Sequence, residues 1–319
     1  MPDPTTSRTE PSAQAAEAVL MVRPANFGFN AETRQSNRFQ RNDAALVATA
    51  QLRARQEFDG LVAALRGAGV ATVVAEDEPV PACPDAIFPN NWVSLHADGS
   101  AVLYPMLAPS RRRERRLEHL QQLERETGRR VHRLLDLTHH ELHGRFLEGT
   151  GSIVFDHVAR VAYAAASPRT HEAPLDELCA ELGYRPCVFR AVDAAGVAIY
   201  HTNVMLAVGT GFAVVAAEGV APDARDDLLD RLRDTGRDVI VIDAAAMAGF
   251  AGNVLELRAS DGAKVLAMSQ AAEAAFGPAR LDALRRHVDR VVAAPIPTIE
   301  TLGGGSVRCM LAEVFLPGK

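Results

Sequence analysis

One pattern constrains this chain more than any other: a strand hairpin, then a helix, then another strand, repeated along its length. Strands over 87–94 and 101–104 flank a turn at 97–100, a helical block spans 110–127, and strand-like alternation returns over 129–135. The order recurs with strands at 152–155 and 161–165, a helix at 175–182 and a strand at 187–190. It recurs again as 204–208, 212–216, 222–235 and 239–242, and once more as 254–258, 264–269, 279–287 and 290–294. The start of the chain follows part of the scheme. A strand over 18–22 feeds a long loop to residue 42, and Asp43 caps a helix that ends at Gly67. Leu46, Leu52, Phe58, Leu61, Val62 and Leu65 mark the inward face of that helix, and a β-branched run over 70–75 follows it. Five such units in 319 residues give about 64 residues each. No Pro/Gly/Ser-rich linker separates them, so the expectation is one domain of pseudo-repeats over 18–319 behind a disordered tail over 1–17.

Composition narrows the function. With 48% hydrophobic residues the chain can bury a sizeable core, and a net charge of −6 argues against nucleic acid as a partner. Aromatic residues at 5%, with a single Trp, supply few stacking platforms for bases. The chain contains no long apolar run, so neither a membrane partner nor a signal peptide is expected, and the cytoplasm is the expected compartment. Cys83, Cys179, Cys187 and Cys309 are too scattered for a disulfide framework. What remains is a small-molecule protein, with homo-oligomerisation left open.

Four stretches carry side chains suited to chemistry. Gly303-Gly304-Gly305 lets the backbone approach a ligand closely, and Cys309 follows it; a buried structural cysteine fits that spacing equally well. His201 precedes an apolar strand, where a packed histidine is the ordinary occupant. Glu148 stands between an apolar pair and the Gly149-Thr150-Gly151 turn, as a surface carboxylate also would. Asn90 and Asn91 place two amides beside Trp92, in a setting that an Asx turn would share. The basic run from Arg111 to Arg116 reads as a solvated helix face. His139, His140 and His143 with Glu141 lack the H-E-x-x-H order and read as a polar connector, so no metal is expected. The segment 249–253 either covers a site or turns the chain into the next strand.

The ordered motifs D-x-x-F-P-N-N, L-E-G-T-G-S, S-P-R-T, Y-H-T-N-V and G-G-G-S-V-R-C, spread over 22–317, resemble the guanidino-modifying superfamily of arginine deiminases, dimethylarginine hydrolases and amidinotransferases. The nearest resemblance is to its arginine-deiminase-related branch of citrulline-utilisation hydrolases. The resemblance implies an α/β fold, a pseudo-fivefold α/β propeller of ββαβ units. It implies Cys309 as nucleophile, His201 as general acid/base and Glu148 as the carboxylate that contacts a substrate nitrogen. Arg169 then grips the substrate α-carboxylate and Asp85 lies near its amino end, and no cofactor is required. Cys83, Cys179 and Cys187 are read as structural.

Two departures from the family pattern bear on substrate. Guanidine-binding members carry an acid where this chain has Asn91, preceded by Asn90, and arginine deiminases carry H-x-D where it has His201-Thr202-Asn203. Each lost charge contact at ~4 Å is worth roughly 4 kcal/mol at an effective dielectric of about 20, before desolvation. Neutral amides suit a ureido group, so citrulline, cleaved to ornithine, ammonia and carbon dioxide, is the favoured substrate. Arginine deimination or dihydrolysis is the alternative, followed by an amidinotransferase or a non-catalytic amino-acid sensor.

Overall fold

The computed structural model describes residues 13–318. Its fifteen strands form five separate three-stranded sheets. In the second unit β3 (Val93–Leu95) runs antiparallel to β4 (Ser100–Leu103), and β4 runs parallel to β5 (Arg133–Asp136) after the helix Leu117–Thr127. A parallel neighbour needs a crossover, and the helix provides it in every unit. The third unit repeats this with β6 (Val154–Asp156), β7 (Val161–Ala165), the helix Glu172–Leu182 and β8 (Arg185–Phe189). The fourth has β9 (Leu206–Val208), β10 (Phe212–Val215), the helix Pro222–Asp234 and β11 (Asp238–Val241). The fifth has β12 (Leu255–Arg258), β13 (Lys264–Ser269), the helix Gln270–Arg285 and β14 (Arg290–Ala294).

The first unit is assembled from both ends of the chain. Strand β1 (Ala18–Arg23) pairs in parallel with β2 (Ala71–Glu76) across the helix Ala50–Gly67, and its antiparallel partner is β15 (Ala312–Glu313). This closure completes a pseudo-fivefold α/β propeller. The short first strands of the units meet at the centre: β15 lies against β3, and β9 against both β6 and β12.

Several elements differ from their sequence expectation for identifiable reasons. Asp43 caps only a short turn, Ala44–Val47; the main helix starts at Ala50 and buries Ala54, Phe58, Leu61, Val62 and Leu65, while Leu52 faces solvent. The hairpin strand expected from residue 87 begins at Val93, because Pro89 opens a 3-10 turn over Pro89–Asn91. The crossover helix of the fifth unit begins nine residues earlier than the expected 279: Ser269 caps it by accepting from the amide of Ala272, and it continues past a kink at Gly277-Pro278. Residues 13–17 are a correction to the expected tail. The Gln14 amide donates to the carbonyls of Phe155 and Val208, and Ala16 is buried in a bridge with Leu257. The remainder of that expected tail lies outside the described residues.

Candidate active site

Each unit presents a turn immediately before its central strand, and these turns converge. The 3-10 turn Val307–Met310 precedes β15 and carries Cys309. The turn Pro89–Asn91 precedes β3 and carries Asn91, and Gly149–Ser152 precedes β6 with Glu148 at its start. Thr202–Val204 precedes β9, with His201 and Asn203 at its ends, and residues 249–253 precede β12 and end on Asn253. Three of the five are short 3-10 turns, which wind the chain more tightly than an α-helix.

A narrow cavity is lined by Thr33, Asn37, Asp85, Phe88, Asn91, Arg111, Arg169, Tyr200, His201, Gly303, Gly305 and Cys309. The long loop after β1 closes over it. Asn37 Nδ2 donates to the carbonyls of Gly303 and Gly304, both at 3.3 Å, and Gln40 Nε2 to the carbonyl of Leu302 at 3.2 Å. The three glycines serve the close approach of protein to protein. A methyl at Gly303 or Gly305 would fall within 3.0 Å of the Phe88 ring, and Gly304 has φ 63° against Gln40.

Cys309 is buried, and two amides address its sulfur. Asn253 Nδ2 lies 3.3 Å and Asn203 Nδ2 3.5 Å from Sγ, and Asn253 Nδ2 also donates to the Asn203 carbonyl at 2.9 Å. Asn253 was not singled out in the sequence. Its signal was there, in Asn253-Val254 before β12, which repeats Asn203-Val204 before β9. The segment 249–253 therefore supports the Cys309 sulfur from within.

His201 donates through Nε2 to Glu148 Oε2 at 2.9 Å. Burial holds its pKa down to about 4 despite the hydrogen bond and charge of Glu148, so the ring is neutral at pH 7 and can take a proton. Glu148 is fully buried and does not line the cavity. Burial pushes its pKa up, but Arg169, the His201 hydrogen bond and Arg111 outweigh that and hold it well below the usual carboxylate range. It also accepts from the Leu107 amide at 3.1 Å and from Arg169 Nη1 at 3.2 Å. This ionised carboxylate orients His201 and stabilises the imidazolium that forms when the ring is protonated.

Arg111 corrects the solvated reading of the basic run. Pro109 starts a 3-10 turn, Pro109–Glu114, that turns Arg111 inward and buries it; its fork holds Glu114 at 2.8–3.2 Å, and Nη1 donates to Asn91 Oδ1 at 2.8 Å. Arg169 donates to Ser36 Oγ, to the Thr33 carbonyl and to Glu148. Among the described residues, each arginine keeps one Nη1 hydrogen without an acceptor while lining the same cavity. That pair of donors fits a carboxylate.

Asp85 lines the cavity with Oδ1 buried and unpartnered, while Oδ2 accepts from Asn30 at 2.8 Å. Burial raises its pKa against the opposing pull of Arg111, and a ligand ammonium would favour its charged form. Asn91 is more telling. Arg111 can only donate, so the Asn91 atom facing it must be oxygen, and the Nδ2 group is left buried and unpartnered at the cavity. Asn90 and Asn203, both expected to bind substrate, do not line the cavity: the Asn203 amide lies against the Cys309 sulfur, while the Asn90 amide is buried behind the turn and the Asn90 carbonyl accepts from Thr150 Oγ1. Cys83 and Cys179 are buried and Cys187 half-buried, none of them lines this cavity, and burial pushes all three thiols up. No helix among the described residues is long and apolar enough to cross a membrane.

Comparisons with known proteins agree with this fold. Among solved structures, the N-terminal domain of ArgZ bound to product, described as an arginine dihydrolase of the ornithine–ammonia cycle in cyanobacteria, matches with TM-score 0.72 and 16% identity, over 94% of this chain and 99% of that one. A variant of AgrE in a binary complex with L-arginine matches with TM-score 0.73 and 17% identity, over 95% of this chain and 40% of that one. A dimethylarginine dimethylaminohydrolase variant in an adduct with S-methyl-L-thiocitrulline matches with TM-score 0.64 and 16% identity, over 93% and 99%. At such identities these likenesses establish the shared fold. No curated protein matches the chain. A family model described as N,N dimethylarginine dimethylhydrolase, eukaryotic, matches residues 23–316, nearly the whole chain. The protein is therefore a member of that family, within the guanidino-modifying superfamily.

Proposed function

We propose that the protein is a cysteine-dependent hydrolase of the ureido carbon of a free amino acid, with citrulline as substrate and ornithine, ammonia and carbon dioxide as products. The observation that carries this reading is the orientation of Asn91. With its oxygen held by Arg111, it offers the cavity an N–H donor, which suits a ureido oxygen and opposes a guanidinium, whose nitrogens all donate. Around that donor, Arg111 and Arg169 take the substrate carboxylate and Asp85 its ammonium.

In this mechanism Cys309 loses its proton to neutral His201, and the sulfur attacks the planar carbon while the Asn203 and Asn253 amides donate to it. The imidazolium, stabilised by Glu148, delivers the proton to the departing ammonia. His201 then takes a proton from water, which displaces the sulfur and leaves a carbamate on the ornithine nitrogen. That carbamate loses carbon dioxide, so one water is consumed per citrulline. A second reading, arginine dihydrolysis, has citrulline as its intermediate; it is favoured by the description of ArgZ as an arginine dihydrolase and by the binary complex of AgrE with L-arginine.

A panel of citrulline, arginine, agmatine and methylated arginines, read by ammonia and amine product, tests the assignment. Citrulline is expected to have the highest kcat/KM, and carboxylate-free agmatine to fall at least about 100-fold below arginine. Citrulline left untouched while arginine or a methylated arginine is consumed would overturn it.

Gly151 lies beneath this machinery. A methyl there would collide with Asn91 Nδ2 and come within 2.8 Å of His201 Cε1 and Nδ1. Gly151→Ala is expected to reduce kcat/KM on the order of 100-fold by displacing both groups, with far-UV circular dichroism unchanged. Wild-type kinetics in this variant would argue against the placement of His201.

A further inference from the structure

Away from the cavity, the 3-10 turn Thr138–His143 meets the helix Glu172–Leu182, and His139, His140 and Glu177 bring one donor atom each to within 4.8 Å of one another. His140 Nε2 lies 2.8 Å and His139 Nε2 3.4 Å from the same oxygen, Glu177 Oε2, with the two rings tilted by 34° at 4.3 Å between centroids. The proton arrangement on His139 is decisive. Its Nδ1 lies 3.2 Å from the Asp136 carbonyl, which can only accept, so Nδ1 carries the hydrogen. In the neutral ring, Nε2 then presents a lone pair to a carboxylate oxygen. Nε2 and Glu177 Oε2 then stand 3.4 Å apart, each with a lone pair that a bound cation would take.

We propose that these three residues form a binding site for a divalent transition-metal ion of the zinc class, separate from the catalytic cavity. Two imidazoles and a carboxylate are a donor set of this class, whereas calcium and magnesium take oxygen ligands. Zinc bonds of about 2.1 Å in tetrahedral geometry place donors about 3.4 Å apart. The His139–Glu177 separation is already 3.4 Å, and the 2.8 Å His140 contact need only open slightly. The Nδ1–H donated to a backbone carbonyl is the usual outer-shell support of a metal-bound histidine. His139 is half-exposed, which leaves solvent to complete the coordination. The bound ion fastens the turn to the helix. The same turn carries Glu141, which accepts from the Met106 amide at 2.8 Å, one residue before the Leu107 amide that serves Glu148.

Zinc titration of the full-length Cys309→Ala variant, by calorimetry against a competing chelator and by thermal melting, tests the site without the catalytic thiol as a competing ligand; Cys309→Ser serves if the first variant folds poorly. One equivalent is expected to bind and raise Tm. His139→Ala and Glu177→Gln, both at accessible side chains, should each weaken binding at least about 100-fold, more than outer-shell changes usually do. Absence of saturable zinc binding would overturn the proposal. So would binding unaffected by either substitution, or an equal Tm shift with magnesium.

Discussion

Cys309→Ala is expected to lower kcat on citrulline at least about 10,000-fold while ligand affinity stays within a few-fold of wild type. The separation of the two effects follows from the geometry. The groups assigned to the substrate's carboxylate and ammonium, Arg111, Arg169 and Asp85, are held by partners other than the cysteine. Among the described residues, the side chains hydrogen-bonded to the sulfur are Asn203 and Asn253, so its removal leaves the carboxylate clamp in place. Calorimetric binding to the variant combined with single-turnover kinetics checks both halves. Residual turnover near wild type would remove the cysteine from the chemistry. Tight binding to a wild-type protein that turns over none of the panel would instead make the chain an amino-acid sensor.

The double variant Asn91→Asp, Asn203→Asp is expected to move the ratio of kcat/KM for arginine over citrulline upward by at least about 100-fold. At position 91 one carboxylate oxygen would keep the 2.8 Å contact with Arg111, and the other would replace the N–H donor at the cavity with an acceptor. At position 203 a negative charge would stand about where Nδ2 now lies, 3.5 Å from the Cys309 sulfur. Each new contact with a guanidinium is worth roughly 4 kcal/mol at an effective dielectric of about 20, and burial of the new charges cancels part of this. A factor of 100 needs about 2.7 kcal/mol, well inside that margin. Kinetics with both substrates, alongside melting curves, check it. An unchanged ratio would mean that Asn91 does not read the group beside the reacting carbon.

The repeat was legible because alternation, helical spacing and turn residues agree unit by unit, and the period survives low identity between units. Element ends were less legible where backbone chemistry overrides apolar patterning. Ile87 and Phe88 look like strand residues, yet Pro89 commits the chain to a 3-10 turn, and Val204 lies in the equivalent turn before β9. Those turns hold most of the site, so His201, Glu148, Cys309 and Asn91 stood out by motif although their surroundings did not. Arg111 stayed hidden because its role depends on Glu114, Asn91 and the buried floor of the cavity, and a run of arginines looks the same whichever one turns inward. Asn253 was recoverable from the repeat itself. Reading Asn203-Val204 against Asn253-Val254 assigns the fifth unit a contribution to the centre, as in the other four.

Ornithine and ammonia released from citrulline alone by the purified wild-type protein test the central claim most directly. Equimolar ornithine and ammonia, appearing without arginine in the reaction, is the predicted result. Citrulline recovered intact, from a preparation that converts arginine to citrulline and stops there, would contradict it.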